Sequence, residues 1–179
     1  MSARLPHGSP AVGDTRELRG FRCRSREGSR GKWYNRGMGE TGLFPKGKVV
    51  IYTDGGARGN PGPAAIGVVV GGKRYHKAIG ETTNNVAEYK AVAFALAKAK
   101  QLLGKKEAKE TDLDVRSDSE LMVSQLTGTY KIHDEDLIPL FIDVWNLRQD
   151  FKNVRFILIP REENKVSDKL VNHALDTLL

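Results

Sequence analysis

The chain has 179 residues, with 29 Lys and Arg against 22 Asp and Glu, a formal net charge of +7. Residues 1–48 hold 11 basic and 4 acidic side chains, whereas residues 49–179 hold 18 of each. No apolar run approaches the roughly 20 residues of a membrane span, and the single cysteine excludes an internal disulfide or a thiolate zinc site. We therefore expect a cytoplasmic protein in which a basic segment, residues 1–47, precedes one balanced domain, residues 48–179.

The basic front segment, residues 1–47, shows neither helical nor strand periodicity. Between Arg16 and Arg36 it mixes Arg with Gly and Ser. This composition buries too little apolar surface to offset the entropy of ordering. We predict a disordered segment, in which Trp33 and Tyr34 are available to stack on bases.

Two alternatives to a disordered basic segment stay open. Translation from Met38 would place the first 37 residues outside the protein. Alternatively, the segment is an organelle transit peptide, although its prolines and repeated glycines would interrupt the amphipathic helix of such peptides.

The periodic part of the chain begins with three predicted strands. Short connections make them antiparallel neighbours: residues 49–52 with an exit at Asp54, residues 65–70, and residues 74–79. A turn-rich loop is predicted at residues 55–63, and Gly71 and Gly72 indicate a hairpin.

Helices alternate with strands in the remainder. A long helix capped by Asn84 or Asn85 is predicted to end at Gly104, followed by a solvated connection at residues 105–110. The later elements are a strand at 113–118, a short helix at 119–126, a helix from about residue 134, a strand at 154–160 and a helix at 167–179. We therefore predict an α/β fold in which a mixed five-stranded sheet, with three antiparallel and two parallel strands, is flanked by helices.

Four acidic residues fall near element ends. Asp54 and Asp118 are predicted at strand exits, and Glu88 and Asp168 in first turns of helices. Each has an ordinary alternative, since acids favour helix N-termini and turns. Together they predict a carboxylate cluster at one edge of the sheet. Such clusters repel unless cations screen them, and two divalent ions could support phosphoryl displacement on a polyanion.

Four sequence blocks resemble ribonuclease H type 1, over residues 48–179 in order. They are YTDGGARGNPGP at 52–63, TTNNVAE at 82–88, SDS at 117–119 and NKVSD at 164–168. Residues 125–131 and 160–164 are similar to a compact archaeal and actinobacterial-like branch, which lacks the basic protrusion of the best-known bacterial pattern. The resemblance implies a ribonuclease H-like fold.

The resemblance also implies an activity: endonucleolytic hydrolysis of the RNA strand of RNA–DNA hybrids, leaving 5′-phosphate and 3′-hydroxyl ends. Asp54, Glu88, Asp118 and Asp168 would hold two Mg²⁺ or Mn²⁺ ions. One ion would activate the attacking water and the other would stabilise the leaving 3′ oxygen. The implied protein is a monomer without a membrane association or an obligate protein partner.

A substrate-binding set follows from the same motifs. Asn60, Asn84 and Asn85 would contact RNA 2′-hydroxyls, the groups that distinguish RNA from DNA. Thr83 would lie near a DNA phosphate. Gly55 and Gly56 would let the backbone approach a sugar edge. For the two helix-proximal asparagines, simple capping is an alternative that is compatible with binding.

The chain departs from the best-known bacterial pattern in two places. No histidine precedes the last acid, and Arg161 is either its substitute or a solvated surface side chain, while His133 and His173 are expected to be structural or exposed. Only residues 128–132 replace the basic protrusion, and Trp145 is expected in the core or in a groove. We therefore expect the domain by itself to bind its nucleic-acid substrate weakly, and residues 1–47 to add affinity that depends on salt.

Two competing functions remain. Another nuclease of the same superfamily, such as a resolvase or exonuclease, is disfavoured by the Asn-Pro-Gly loop and the Thr-Thr-Asn-Asn block. A non-catalytic nucleic-acid-binding module is disfavoured because all four acids are present.

Overall fold

A computed structural model of the chain describes residues 47–178. The predictions made for residues 1–46 (disorder, stacking by Trp33 and Tyr34, an alternative start and a transit peptide) lie outside the described residues. The elements are β1 Lys48–Ala57, β2 Gly62–Val70, β3 Lys73–Thr82, α1 Asn84–Leu103, α2 Lys105–Ala108, β4 Asp112–Ser117, α3 Glu120–Leu126, α4 Leu137–Arg148, β5 Asn153–Leu158 and α5 Lys165–Asp176, with a 3₁₀ turn at Arg161–Glu163.

The five strands form one mixed sheet in the order β3-β2-β1-β4-β5. β1 pairs antiparallel with β2, and β2 with β3, whereas β1–β4 and β4–β5 are parallel. This confirms the predicted fold. Tyr52 of β1 is in register with Arg116 of β4. Because these two strands are parallel, Asp54 and Asp118, each two residues further along the chain, lie beyond this pair on the same side.

Two consecutive glycines show which helix covers which face of the sheet. A methyl group built on Gly55 would collide with the backbone of Ala87 in α1, whereas one built on Gly56 would contact Val171 in α5. Successive strand residues point to opposite faces, so α1 and α5 lie on opposite sides of β1. The main core forms between the sheet and α1, with α3 and α4 contributing.

The loop predicted at residues 55–63 is shorter than expected. The β1–β2 ladder continues through Gly55, Gly56 and Ala57, and the connection is limited to residues 58–61. The glycines therefore pair as strand residues. Asp54 consequently lies within β1, and the prediction that it marks the strand exit was wrong.

The start of α1 also differs from the prediction. The N-cap is Thr83, whose hydroxyl accepts a hydrogen bond from the Val86 amide at 3.4 Å, and Asn84 is the first helical residue. Glu88 lies beyond the first turn, where no acid is found. The helix macrodipole therefore does not explain its placement.

Further differences concern smaller elements. The connection predicted to be solvated contains α2, in which Ala108 is buried. α4 begins at Leu137, because Asp134 accepts a hydrogen bond from the Asp136 amide in a preceding turn. Trp145, expected in the core or in a groove, is 47% exposed and stacks on Phe141, which excludes the core position.

Two further boundaries shift. β5 ends at Leu158, before the predicted 160, and α5 begins at Lys165, two residues before the predicted start. His173 is exposed, as expected, and packs edge-on against His76. Within residues 47–178, none of the helices has the length and apolarity that crossing a bilayer requires.

Candidate active site

The site is built around Asp54 in the middle of the sheet. Burial, together with the charges of Asp118, Asp168 and Glu88, raises the pKa of Asp54 to about 7. The four acids predicted from the sequence therefore come together, from β1, α1, the exit of β4 and the start of α5. Their mutual repulsion in a partly buried place is the main electrostatic feature of the site.

Glu88 is held by a residue for which the sequence indicated no role. Burial and the nearby charge of Asp118 raise its pKa to about 7, although the hydroxyl of Ser119 opposes this shift by donating a hydrogen bond to Oε2. The same hydroxyl caps α3 by accepting from the Met122 amide at 3.4 Å. A serine directly after a strand-exit acid is the signal that could have identified this contact.

Asp118 is held by Asn164, the N-cap residue of α5. The amide nitrogen Nδ2 of Asn164 donates to Asp118 Oδ1 at 2.6 Å and to the Thr53 carbonyl oxygen at 2.9 Å. This residue was part of a family-like sequence block but carried no predicted role. Its contacts span 46 and 111 residues of sequence, which no local pattern reports.

Asp168 lies in the first turn of α5 and has two neighbours. Arg161 Nη2 is 3.5 Å from its Oδ1, and the Arg161 side chain is 79% exposed. Asn172 Nδ2 donates to the Asp168 carbonyl oxygen at 3.0 Å and to Oδ2 at 3.3 Å. The structure thus brings Arg161 to the acid cluster, at its solvent-facing side.

The donor set suits a hard divalent cation. Four carboxylates supply only oxygen atoms, and the raised pKa values of Asp54 and Glu88 mean that positive charge there would be stabilising. Among residues 47–178, however, no three His, Cys, Asp or Glu side chains lie close enough together in their present orientations to bind a metal ion. Asp118 and Asp168 are instead turned towards amide and guanidinium partners.

The predicted substrate-binding asparagines lie at one junction. Asn60 Oδ1 accepts from the Asn84 amide at 3.0 Å, and Asn84 Oδ1 accepts from the Ala57 amide at 2.7 Å. Both oxygens are therefore engaged within the protein, while both side-chain nitrogens remain as donors for a ligand. Asn85 follows on α1 and is partly exposed, and Thr83 uses its hydroxyl as the helix cap.

Comparison with known proteins places this geometry among nucleases. A family model described as reverse transcriptase-like matches residues 52–174. Ribonuclease HI of Halobacterium salinarum is 39% identical over 136 residues, covering 73% of this chain and 65% of that protein. A bifunctional protein of Mycobacterium tuberculosis is 40% identical over 136 residues, covering 72% of this chain and 36% of its own length. The chain thus spans about a third of the mycobacterial relative and just under two thirds of the halobacterial one.

A solved structure gives the same result. LC11-RNase H1, isolated from compost and crystallised in complex with an RNA/DNA hybrid, is 44% identical. It superimposes with a TM-score of 0.69, over 73% of this chain and 98% of that one.

Proposed function

The chain belongs to the ribonuclease H type 1 family, and on that premise we propose that it is an endonuclease that hydrolyses the RNA strand of RNA–DNA hybrids. The products would carry 5′-phosphate and 3′-hydroxyl ends. The observation that carries the proposal is the convergence of Asp54, Glu88, Asp118 and Asp168, whose charges add to burial in raising the pKa of Asp54 to about 7.

The cofactors are proposed to be two Mg²⁺ ions, for which Mn²⁺ can substitute, held by the same four carboxylates. When bound, the two ions supply the charge that activates the attacking water and stabilises the leaving 3′ oxygen. The protein holds its acids in a partly buried place, where their oxygen atoms are available as cation ligands. Ser119 directs Glu88 towards the site.

Discrimination of RNA from DNA is proposed to lie at the junction between the β1–β2 connection and α1. The side-chain nitrogens of Asn60 and Asn84 would donate to ribose 2′-hydroxyls, with Asn85 beside them. Thr83 would lie near a DNA phosphate. Gly55 and Gly56 are proposed to let the backbone approach a sugar edge, in addition to the room they leave for α1 and α5.

Arg161 is proposed to act on the substrate side of the cluster, in place of the histidine of the best-known bacterial pattern. Its guanidinium group lies 3.5 Å from Asp168 and is exposed. A guanidinium stays protonated at physiological pH. Its contribution would therefore be charge stabilisation and product release, and a proton relay is excluded.

Residues 1–47 are proposed to be a separate basic segment that adds salt-dependent affinity for nucleic acid. Residues 49–179 have balanced charge, and residues 128–132 stand where the basic protrusion would be. The protein is proposed to act as a cytoplasmic monomer, without an obligate partner.

The test is cleavage of a labelled RNA–DNA hybrid by the full chain, with Mg²⁺, Mn²⁺ or EDTA, beside duplex DNA and duplex RNA. We expect cleavage of the hybrid alone, dependent on metal. Asp118→Asn should abolish it, whereas Asp143→Asn, an exposed acid on α4, should not. Preferential cleavage of duplex DNA would favour a different nuclease of the superfamily. Tight hybrid binding without any cleavage would favour a binding module.

A further inference from the structure

Asn164 occupies a central position among the four acids without being one of them. It is the N-cap residue of α5, four residues before Asp168, and it is 1% exposed. An asparagine at this position ordinarily caps its helix by accepting a hydrogen bond from the first turn. Here the side chain makes no capping hydrogen bond. Its polar atoms therefore serve another purpose.

The amide group of Asn164 donates towards two acceptors on other elements. Nδ2 lies 2.6 Å from Asp118 Oδ1 and 2.9 Å from the Thr53 carbonyl oxygen. A carboxylate and a carbonyl are both acceptors, so only the NH₂ end of the amide can face them. The opposite orientation would bring three oxygen atoms together. The two hydrogens of Nδ2 are thus matched by two partners.

These two hydrogen bonds connect three of the four acids. Thr53 directly precedes Asp54 on β1, Asp118 follows β4, and Asn164 itself starts the helix that carries Asp168. One side-chain oxygen of Asp118 is fixed by the contact, which leaves the other free to face a ligand. The Oδ1 atom of Asn164 is buried and has no hydrogen-bond partner among residues 47–178. A buried oxygen atom without a hydrogen-bond partner lowers the stability of the protein, and the structure nevertheless keeps Asn164 in this orientation.

We propose that Asn164 is a positioning residue that sets the orientation of Asp118 relative to Asp54 and thereby determines the affinity of the site for divalent cations. The proposal rests on the function proposed above, since it takes the four acids as the cation ligands. Partners that orient metal ligands through hydrogen bonds typically contribute about 10–100-fold in metal affinity or activity. Asn164 acts through Asp118, without itself touching substrate or metal.

The experiment measures cation binding directly. Mn²⁺ binding to the full chain is followed by titration calorimetry for the native sequence, Asn164→Ala and Asn164→Leu. The leucine variant avoids the cavity that alanine would leave. Folding is checked by circular dichroism, and if the alanine variant does not fold, the leucine variant alone provides the comparison. Asn146→Ala, an exposed asparagine on α4, is the matched control. We expect the dissociation constant for Mn²⁺ to rise about 10–100-fold in both Asn164 variants and to stay unchanged in the control.

Steady-state cleavage of the hybrid at a fixed, subsaturating Mg²⁺ concentration supplies a second readout. We expect kcat to fall while KM for the hybrid changes less than twofold, because substrate contacts are not altered. A purely structural role would lower thermal stability and leave the Mn²⁺ dissociation constant within threefold of the native value, which would overturn the proposal. If the native chain binds Mn²⁺ but does not cleave the hybrid, the proposed function fails, while the binding comparison still tests Asn164.

Discussion

Gly55 of β1 lies directly against the backbone of Ala87 in α1. A methyl group built on Gly55 would be 2.3 Å from the Ala87 carbonyl carbon and 2.4 Å from the Glu88 amide nitrogen. Since real Cβ atoms do not approach backbone atoms this closely, strand and helix can meet here only through a glycine. The contact lies between Asp54 and Glu88 and brings these two acids together from different elements.

Gly55→Ala should therefore damage both stability and site geometry. Because the added carbon meets backbone atoms, α1 must move away from β1, at a cost of about 3 kcal/mol, the upper end for overpacking. Urea denaturation measures the loss, and hybrid cleavage should fall with it. Gly56→Ala is the matched control, since its Cβ would meet only a side-chain carbon of Val171 at 3.3 Å. Equal stability of the two variants would show that α1 does not require a glycine at this contact.

Asp54→Asn should stabilise the metal-free protein while abolishing cleavage. The folded-state pKa of Asp54 is about 7, against 3.8 for an ordinary Asp. A raised carboxyl pKa means that the folded state holds the proton more tightly, so stability is lost as pH rises from about 4 through 7. At pH 8 in EDTA, the variant should unfold with a free energy higher by on the order of 2 kcal/mol.

At pH 4 the difference between the variant and the native chain should shrink towards zero, because Asp54 is then protonated. Asp143→Asn, which alters an exposed acid on α4, is the matched control. Urea denaturation at both pH values provides the measurement. A variant that is less stable than the native chain at pH 8 would show that repulsion among the acids is not significant.

Asp114→Asn should lower stability and leave the chemistry intact. The Asp114 side chain is 4% exposed, with Lys48 Nζ at 2.9 Å and Arg155 Nη2 at 2.7 Å. Burial alone would raise its pKa, but hydrogen bonds and charges from Lys48 and Arg155 outweigh burial and hold the pKa below its ordinary value. The variant should lose about 2 kcal/mol at pH 7, less than a fully buried pair because both partners are half exposed.

The sign of its pH dependence is opposite to that of Asp54. A lowered carboxyl pKa contributes stability above the unfolded-state pKa, and this contribution disappears as pH falls through the folded-state pKa. The penalty of Asp114→Asn should therefore be largest near pH 7 and vanish in acid. Asp112→Asn, whose carboxylate is 4.0 Å from Lys152 and more exposed, should cost less. If the Asp114→Asn variant is folded at 25 °C but no longer cleaves the hybrid, the assignment of Asp114 to stability rather than to the chemistry is wrong.

Arg161→Ala should lower kcat for hybrid cleavage about tenfold, below the 10²–10³ of a buried oxyanion donor, because its guanidinium is exposed. Arg161→Lys should retain part of the rate, since it keeps the charge but not the planar geometry. Lys165→Ala, an exposed cation at the start of α5, is the control. If both alanine variants cleave at the native rate, Arg161 is a solvated surface side chain.

Removal of residues 1–47 should reduce affinity for the hybrid and its dependence on salt. Each phosphate neutralised by Lys or Arg contributes close to one unit to the slope of log affinity against log salt. Fluorescence anisotropy of a labelled hybrid, with EDTA to prevent cleavage, compares the full chain with residues 48–179 between low and high salt. Equal slopes would mean that this segment does not bind nucleic acid.

Much of the site was predictable, because its key residues sit in short blocks with distinctive composition. Short apolar, β-branched runs and glycine turns indicated the five strands and which of them are antiparallel neighbours. Placement near element ends singled out the four acids, and the resemblance to a known family implied that they bind metal ions. The sequence pattern did not identify Thr83 as the N-cap of α1. Thr83, Asn84 and Asn85 are all residue types that favour an N-cap, so the pattern could not choose among them. The sequence pattern also gave the wrong structure for Gly55, because a glycine that allows close packing in a strand cannot be distinguished from a glycine in a loop by its sequence neighbours.

The sequence by itself thus determined the α/β fold and the family, and it singled out the four acids as candidate ligands, since these depend on periodicity and motifs that span a few residues. Only the tertiary structure decided that Ser119 directs Glu88 and that Asn164 joins Asp118 to the strand carrying Asp54. The physical reason is distance along the chain. Hydrogen bonds across 31, 46 and 111 residues exist only after helices have packed on the sheet, and packing depends on the whole core.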